Sequence, residues 1–339
     1  MNSLFQNALR VQNNPVPPIW MMRQAGRYHQ HYQKLRAKHS FMDLCRVPEL
    51  AAQVALGPVQ DFDFDVAILF SDILFPLQGL GMGLQYTDHG PRLDWTLAER
   101  GVAPLLDHAT ALESLRFQSA ALMETRRLLP SHKSLIGFIG GPWTLFGYAV
   151  QGKHEGGLLE TKRQLPLWEA FCDRIIPLLI DNVELQFQGG AELVMVFDTA
   201  AGELSPALYQ QRVLPQLKRL ADRFPNRLGY YARGTTWDHH DHSALSWAGE
   251  GRDHRWSLSR LLKSPQRRGF LQGNFDQALL FQDFESFKKS LKDWLDPILA
   301  LSPEEQRGWI CGLGHGVLPK TPEAHVRFFV DFVRRSFDS

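Results

Sequence analysis

The sequence carries almost no net charge: 37 Lys and Arg face 36 Asp and Glu, a formal +1. A broad basic field of the kind that gathers nucleic acid is excluded, so a polyanionic ligand has to be met by a local cluster of cations. Cysteine is scarce. Cys45, Cys172 and Cys311 stand far apart, odd in number and without a Cys-x-x-Cys pair, which argues against a disulfide framework and for a reducing compartment. No apolar leader is visible in MNSLFQNALRVQNNPVPP, and a cytoplasmic protein is expected. One long run lacks charge, Ser134–Gly152 (SLIGFIGGPWTLFGYAVQG), but Pro142 and the glycines 137, 140, 141, 147 and 152 interrupt it. It predicts a strand, a tight turn and a helix, not a membrane span.

What is present is an ordinary globular composition, 44% hydrophobic and 22% charged over 339 residues. That length suits two modest domains or one large α/β barrel. Short apolar runs recur at Pro18–Met22, Val66–Phe70, Leu135–Ile139, Leu193–Phe197, Leu228–Ala232, His254–Leu258, Phe270–Gly273 and Trp309–Leu313. Helical spacing fills stretches between and after them, at Leu112–Leu129, Trp168–Phe187, Pro206–Phe224, Phe284–Leu295 and Pro322–Phe337. Eight strands alternating with helices predict a parallel sheet of the α/β class, and eight is the number that closes a (β/α)8 barrel. Leu84–Trp95 reads as a hairpin with its turn near His89–Pro91. No repeat, low-complexity tract or flexible linker divides the chain, so a single domain over residues 1–339 is expected.

In such a barrel the residues just after each strand line one mouth. Taken in order they are Arg23 and Arg27, Ser71 and Asp72, Pro142–Tyr148, Asp198 and Thr199, Arg233 with a His-rich loop, Asn274, and Gly314–His315. Arg23 and Arg27 are four apart across small residues, which suits bidentate capture of carboxylate or phosphate or, equally, a surface pair. Asp72, in LFSDILFP, is either a cap or a functional carboxylate, since a lone charge among apolar residues is costly. His315 is a ligand or a turn histidine, Asp198 and Thr199 a cap or a site, and Trp143 and Tyr148 core or contact residues. Gly312, Gly314 and Gly316, like Gly79, Gly81 and Gly83, miss the dinucleotide spacing. The run Trp237–His242 (WDHHDH) lacks a spacing that makes ligands converge, and no metal site is expected there.

PPIWMMRQAGRYHQHY resembles the N-terminal signature of the uroporphyrinogen decarboxylase family, and GFIGGPWTLFGYAVQG resembles its second signature. AILFSDILFPLQGLGMGL, VMVFDTAAGELSP, FLQGNFD and CGLGHGVLP resemble further blocks of that family in the same order. The resemblance implies one distorted TIM barrel, a homodimer, and removal of four acetate carboxyls from uroporphyrinogen III to give coproporphyrinogen III in haem and related tetrapyrrole synthesis. It implies no metal, no organic cofactor, no nucleic acid and no membrane. By the same resemblance Asp72 gathers pyrrole N–H groups and stabilises a cationic intermediate, while Arg23, Arg27 and His315 hold substrate carboxylates and Arg46 adds to them. Gln24, Ala25 and Gly26 supply backbone contacts, and Tyr148 and Thr199 touch substrate. Arg23 and a substrate carboxyl both remain candidates for the proton donor.

The sequence also departs from the family pattern. Ala200 stands where a tryptophan is usual, Asp253–Ser257 (DHRWS) replaces an L-D-W-T block, and Gln277 replaces a proline. His239, His240 and His242 are expected at the cleft rim, drawing in carboxylates when protonated. Two other functions compete. A corrinoid-dependent methyltransferase would need zinc on thiolate and imidazole, yet Gly316 and not a cysteine follows His315. A tetrapyrrole-binding protein without turnover would fit the altered blocks, but Asp72, both arginines, Tyr148 and His315 argue against it.

Overall fold

In the computed structural model, which describes residues 1–87, 90–153, 156–239 and 245–337, most of the apolar runs become strands. The strands are β1 (Val66–Ile68), β2 (Gln85–Thr87), β3 (Gly90–Arg92), β4 (Ser134–Gly140) and β5 (Leu193–Phe197), then β6 (Leu228–Tyr231), β7 (Gly249–Gly251), β8 (Phe270–Phe275) and β9 (Trp309–Leu313). The helices that matter below are α1 (Gln30–Arg36), α2 (Phe41–Arg46), α3 (Pro48–Phe62), α4 (Phe75–Gly79), α5 (Pro142–Gln151), α6 (Trp168–Gln188), α7 (Phe284–Leu299) and α8 (Glu323–Arg335). The result is an α/β fold on parallel strands, and its contacts separate two compact units. One comprises Met1–Phe70, Glu124–Ile136 and the chain from Trp247 on; the other comprises Ser71–Met123 and Gly137–Ser246.

In the first unit β1 pairs in parallel with the start of β4, Val66 opposite Ser134. The strands β7, β8 and β9 form a second parallel ladder, from Gly249 opposite Phe270 to Phe275 opposite Leu313. The run at Pro18–Met22 lies against β9 but makes only a single bridge, Ile19 to Cys311. The Cys311 N–H donates to the Pro18 carbonyl at 2.9 Å, and the Trp20 N–H to the Cys311 carbonyl at 3.2 Å. On its other side the Ile19 N–H donates to the buried Asp65 carboxylate at 2.8 Å. Pro17 and Pro18 have no N–H to extend this ladder, so the expected first strand shrinks to one residue. Phe275, Trp294 and Phe329 interlock at centroid distances of 5.5 to 5.9 Å and anchor α7 and α8 on β8.

In the second unit β5 and β6 pair in parallel, Val194 opposite Leu228 through Phe197 opposite Tyr231. Phe146 and Trp143 of α5 meet Trp168 of α6 at 5.2 and 5.6 Å. Trp143 is thus a core aromatic, fully buried. Ser134–Gly152 is a strand, a turn at Gly141 and a helix, as its glycines and proline require. Among the described residues no helix is long and apolar enough to cross a membrane. The hairpin is present, Gln85 opposite Arg92, and its turn residues 88 and 89 lie outside the described residues.

Three expectations need correction. His254–Leu258 is not a strand: the Asp253 carboxylate accepts the Arg255 N–H at 2.9 Å, bending the chain, and Ser257 caps the helix that starts at Leu258. The strand is instead β7, whose sequence GEG has no β-forming pattern. Gly249 is required there because a Cβ would lie 2.4 Å from the Phe270 ring and backbone. Leu112–Leu129 is two helices, His108–Glu113 and Arg116–Leu128, since the Ser114 hydroxyl donates back to the Ala111 carbonyl at 2.7 Å and breaks the run. Eight expected parallel strands become seven among the described residues, plus the bridge at Ile19.

Candidate active site

Arg23, Arg27, Arg46 and His315 belong to the first unit, and Arg233 to the second. Arg23 and Arg27 are exposed on an irregular turn between Ile19 and α1. Gln24 holds this turn from inside. It is fully buried, its Oε1 accepts the Met21 N–H at 3.1 Å, and its Nε2 donates to the Val66 carbonyl on β1 at 2.8 Å. The Tyr28 hydroxyl donates to the Gln24 carbonyl at 2.8 Å, and the His29 N–H to the Gly26 carbonyl at 3.0 Å. His29 Nε2 lies 2.7 Å from the Asp61 carboxylate of α3. Burial pushes His29 below its ordinary value, against the pull of Asp61, so the ring is a neutral donor at neutral pH.

Arg23 adopts a left-handed backbone conformation, φ +58°, which side chains other than glycine rarely take. Its stem then crosses Gly316: a Cβ built there would sit 2.5 Å from Arg23 Cδ and 2.8 Å from Cγ. The loop after β9 is fixed by the Gly314 N–H donating to the Phe275 carbonyl at 2.7 Å and the Val317 N–H to the Met22 carbonyl at 2.9 Å. His315 sits half-buried between these anchors. A Cβ on Gly314 would touch the His254 N–H at 2.4 Å, so the altered DHRWS block packs on the same loop. Arg46 is exposed at the end of α2, whose start carries a reciprocal Ser40–Asp43 cap. Ala25 and Gly26 complete the arginine turn, partly exposed.

The second unit carries the carboxylate. Asp72 is half-buried, and its Oδ1 accepts the Leu74 N–H at 2.8 Å at the entry to α4. This bond turns the chain into the helix, whose N-cap is Leu74 itself. Tyr148 lies half-buried on α5, and Thr199 follows β5. Asp198, just before Thr199, is fully buried, with Oδ1 accepting both the Thr144 N–H and the Thr144 hydroxyl at 2.7 Å. Oδ2 is buried and makes no hydrogen bond of normal geometry among the described residues. Burial pushes the Asp198 carboxyl up to about 6, opposed by hydrogen bonds from Thr144 and Trp143 and by the Tyr230 hydroxyl.

Other expected site residues serve the fold. His239 is buried, with Nδ1 3.1 Å from the Thr236 N–H nitrogen and Nε2 3.0 Å from the Leu204 carbonyl, so it ties a loop down and does not stand at a rim. His240 and His242 lie outside the described residues. Asn274 is buried and spends its amide on the Asp253 and Trp256 carbonyls, both at 2.8 Å. Among the described residues no three His, Cys, Asp or Glu side chains are grouped to hold a metal ion. Arg233 is exposed. Sequence reasoning missed the Asp198–Thr144 pair and the Arg23–Gly316 crossing. The only local signals were Gly141 beside a helix start and a third glycine after His315.

Comparison with known proteins brings both halves under one description. The family model described as uroporphyrinogen decarboxylase (URO-D) matches residues 1–336. A uroporphyrinogen decarboxylase of Synechococcus sp. (strain JA-2-3B'a(2-13)) is 35% identical over 335 residues, covering 94% of this chain and 93% of that one. The uroporphyrinogen decarboxylase of Carboxydothermus hydrogenoformans is 33% identical over 353 residues, covering 98% and 96%. Among solved structures, a methyltransferase from Methanosarcina mazei superposes with a TM-score of 0.82 over 100% of both chains at 16% identity, a likeness of fold alone.

Proposed function

We propose how this chain, which belongs to the uroporphyrinogen decarboxylase family and decarboxylates uroporphyrinogen in tetrapyrrole biosynthesis, divides that reaction among its side chains. The substrate is uroporphyrinogen III, with eight carboxylates, and the product is coproporphyrinogen III. Arg23, Arg27, Arg46 and His315 bind and orient carboxylates, and the backbone of Gln24, Ala25 and Gly26 borders them. Asp72 accepts the pyrrole N–H groups, and Tyr148 and Thr199 contact the substrate. The observation that carries this reading is the Arg23 stem lying over Gly316, which brings the arginine turn and the His315 loop together.

Each turn of the reaction replaces an acetate by a methyl group. A proton added to a pyrrole carbon makes the ring an iminium-like cation. The bond to the carboxylate breaks, CO₂ leaves, and its electron pair neutralises the ring as an exocyclic methylene. A second proton on that methylene and loss of the first from the ring give the methyl product, so one proton is consumed per CO₂. The protonated ring is itself the electron sink, so this route uses no metal and no organic cofactor. Asp72 supplies the negative charge that the cationic stage requires. Arg23 or a substrate carboxyl supplies the first proton. The finer architecture belongs to the same proposal: one distorted (β/α)8 domain over residues 1–339, acting as a homodimer in the cytoplasm.

Asp72 can be tested with two variants because its Oδ1 also accepts the Leu74 N–H. Asp72→Asn keeps the accepting oxygen and removes the charge, whereas Asp72→Ala removes both. In an anaerobic assay of coproporphyrinogen formation, both variants should lose about 10²–10³ in kcat. Only the alanine variant should also lose about 1 kcal/mol of unfolding free energy, the net value of that hydrogen bond. An asparagine variant with wild-type turnover would sink the reading.

A further inference from the structure

The first turn of α5 has an unusual cap. Its N-cap is Gly141, which has no side chain to accept the free N–H groups, and the acceptor comes instead from Asp198, the residue after β5. Asp198 Oδ1 receives the Thr144 N–H at 2.7 Å, as a capping carboxylate would. This requires glycine at 141, since a Cβ there would lie 2.2 Å from Asp198 Cβ. The same Oδ1 takes the Thr144 hydroxyl at 2.7 Å, and that hydroxyl oxygen in turn accepts the Ala200 N–H at 3.0 Å. One side-chain hydroxyl therefore links the start of α5, the end of β5 and the turn that follows it. All three residues are buried, so no water competes for these bonds.

Two substrate-contact candidates hang from this link. Thr199 lies between Asp198 and Ala200, whose backbone N–H the Thr144 hydroxyl holds. Tyr148 lies four residues after Thr144, on the same face of α5. The Ala201 N–H closes the turn on the Asp198 carbonyl at 3.0 Å, and the bond from the Ala200 N–H ties that turn to α5. We propose that Asp198 and Thr144 are positioning residues for the decarboxylase site, setting Tyr148 and Thr199 against the substrate through the shared hydroxyl. The inference rests on the reading that Tyr148 and Thr199 touch uroporphyrinogen.

Hydrogen bonding and packing predict opposite orders for two variants. Thr144→Val keeps the shape of the buried side chain and removes the hydroxyl; Thr144→Ser keeps the hydroxyl and removes a methyl. KM and kcat for uroporphyrinogen are measured anaerobically for both, with Tyr148→Phe and Thr199→Val assayed alongside and folding followed by circular dichroism. Positioning predicts that the valine variant raises KM about tenfold with a smaller change in kcat, while the serine variant stays within about twofold of wild type. Wild-type KM in the valine variant, or the reverse order with serine the worse, overturns the inference. If that happens while Tyr148→Phe or Thr199→Val raises KM, the inference alone fails. If neither of those two variants changes KM or kcat, the contact reading fails, and the positioning role falls with it.

Discussion

Gly316→Ala tests whether Arg23 is held in place by the loop that carries His315. The new Cβ would sit 2.5, 2.8 and 3.2 Å from Cδ, Cγ and Cβ of Arg23. Carbon atoms rest at about 3.5–4.0 Å, so the stem has to retreat by about 1 Å. The backbone at Arg23 cannot absorb this, because Gln24 beside it is fully buried and bonded to Met21 and Val66. The displacement goes into the side-chain torsions at about 0.5–1.5 kcal/mol, and it grows toward the guanidinium. A charge-assisted hydrogen bond contributes about 1.5–3 kcal/mol, so losing roughly half of one costs about 1.4 kcal/mol, a factor of about ten in affinity. Anaerobic kinetics should show KM up about tenfold, kcat changed less, and unfolding free energy within about 1 kcal/mol of wild type. The decisive control is the background. In Arg23→Ala the Cγ and Cδ contacts no longer exist, so adding Gly316→Ala should change KM little further. Wild-type KM in the single variant, or effects that add in full in the double variant, would refute the reasoning.

Two further expectations concern the interior. Asp198 has a folded value of about 6 against 3.8 for the ordinary group, so the folded state holds its proton more tightly. The associated stability is present below pH 3.8 and is lost as pH rises to about 6, about 3 kcal/mol in all. Asp198→Asn should remove that component from the pH dependence of urea unfolding, and an unchanged slope over this window would contradict it. Gln24→Ala strands the buried Met21 N–H and Val66 carbonyl, so unfolding should cost about 2–4 kcal/mol less, and KM should rise as the arginine turn loosens. Intact stability in that variant would mean that the turn is braced elsewhere.

How much of this was legible in the sequence depends on the distance over which each feature is decided. Strands such as Leu193–Phe197 and the helix at Trp168–Gln188 announce themselves because hydrophobic spacing is a local property. The arginine signature and the Asp72 block were readable for the same reason, as contiguous residues. β7 was not, because GEG becomes a strand only through Phe270, against which Gly249 must fit without a side chain. His239 looked like a rim residue among its neighbours, and only the Leu204 carbonyl, 35 positions away, makes it a buried tie. Asp198 and Thr144 are 54 positions apart, and each alone is an unremarkable strand end and an unremarkable helix start. Gly141 is where the two scales meet: locally it reads as a turn glycine, yet the contact that requires it is a carboxylate arriving from another strand. The family motifs are contiguous, and so are the residues proposed from them to touch substrate. The residues that hold them there are set by strand register, which no run of adjacent letters encodes.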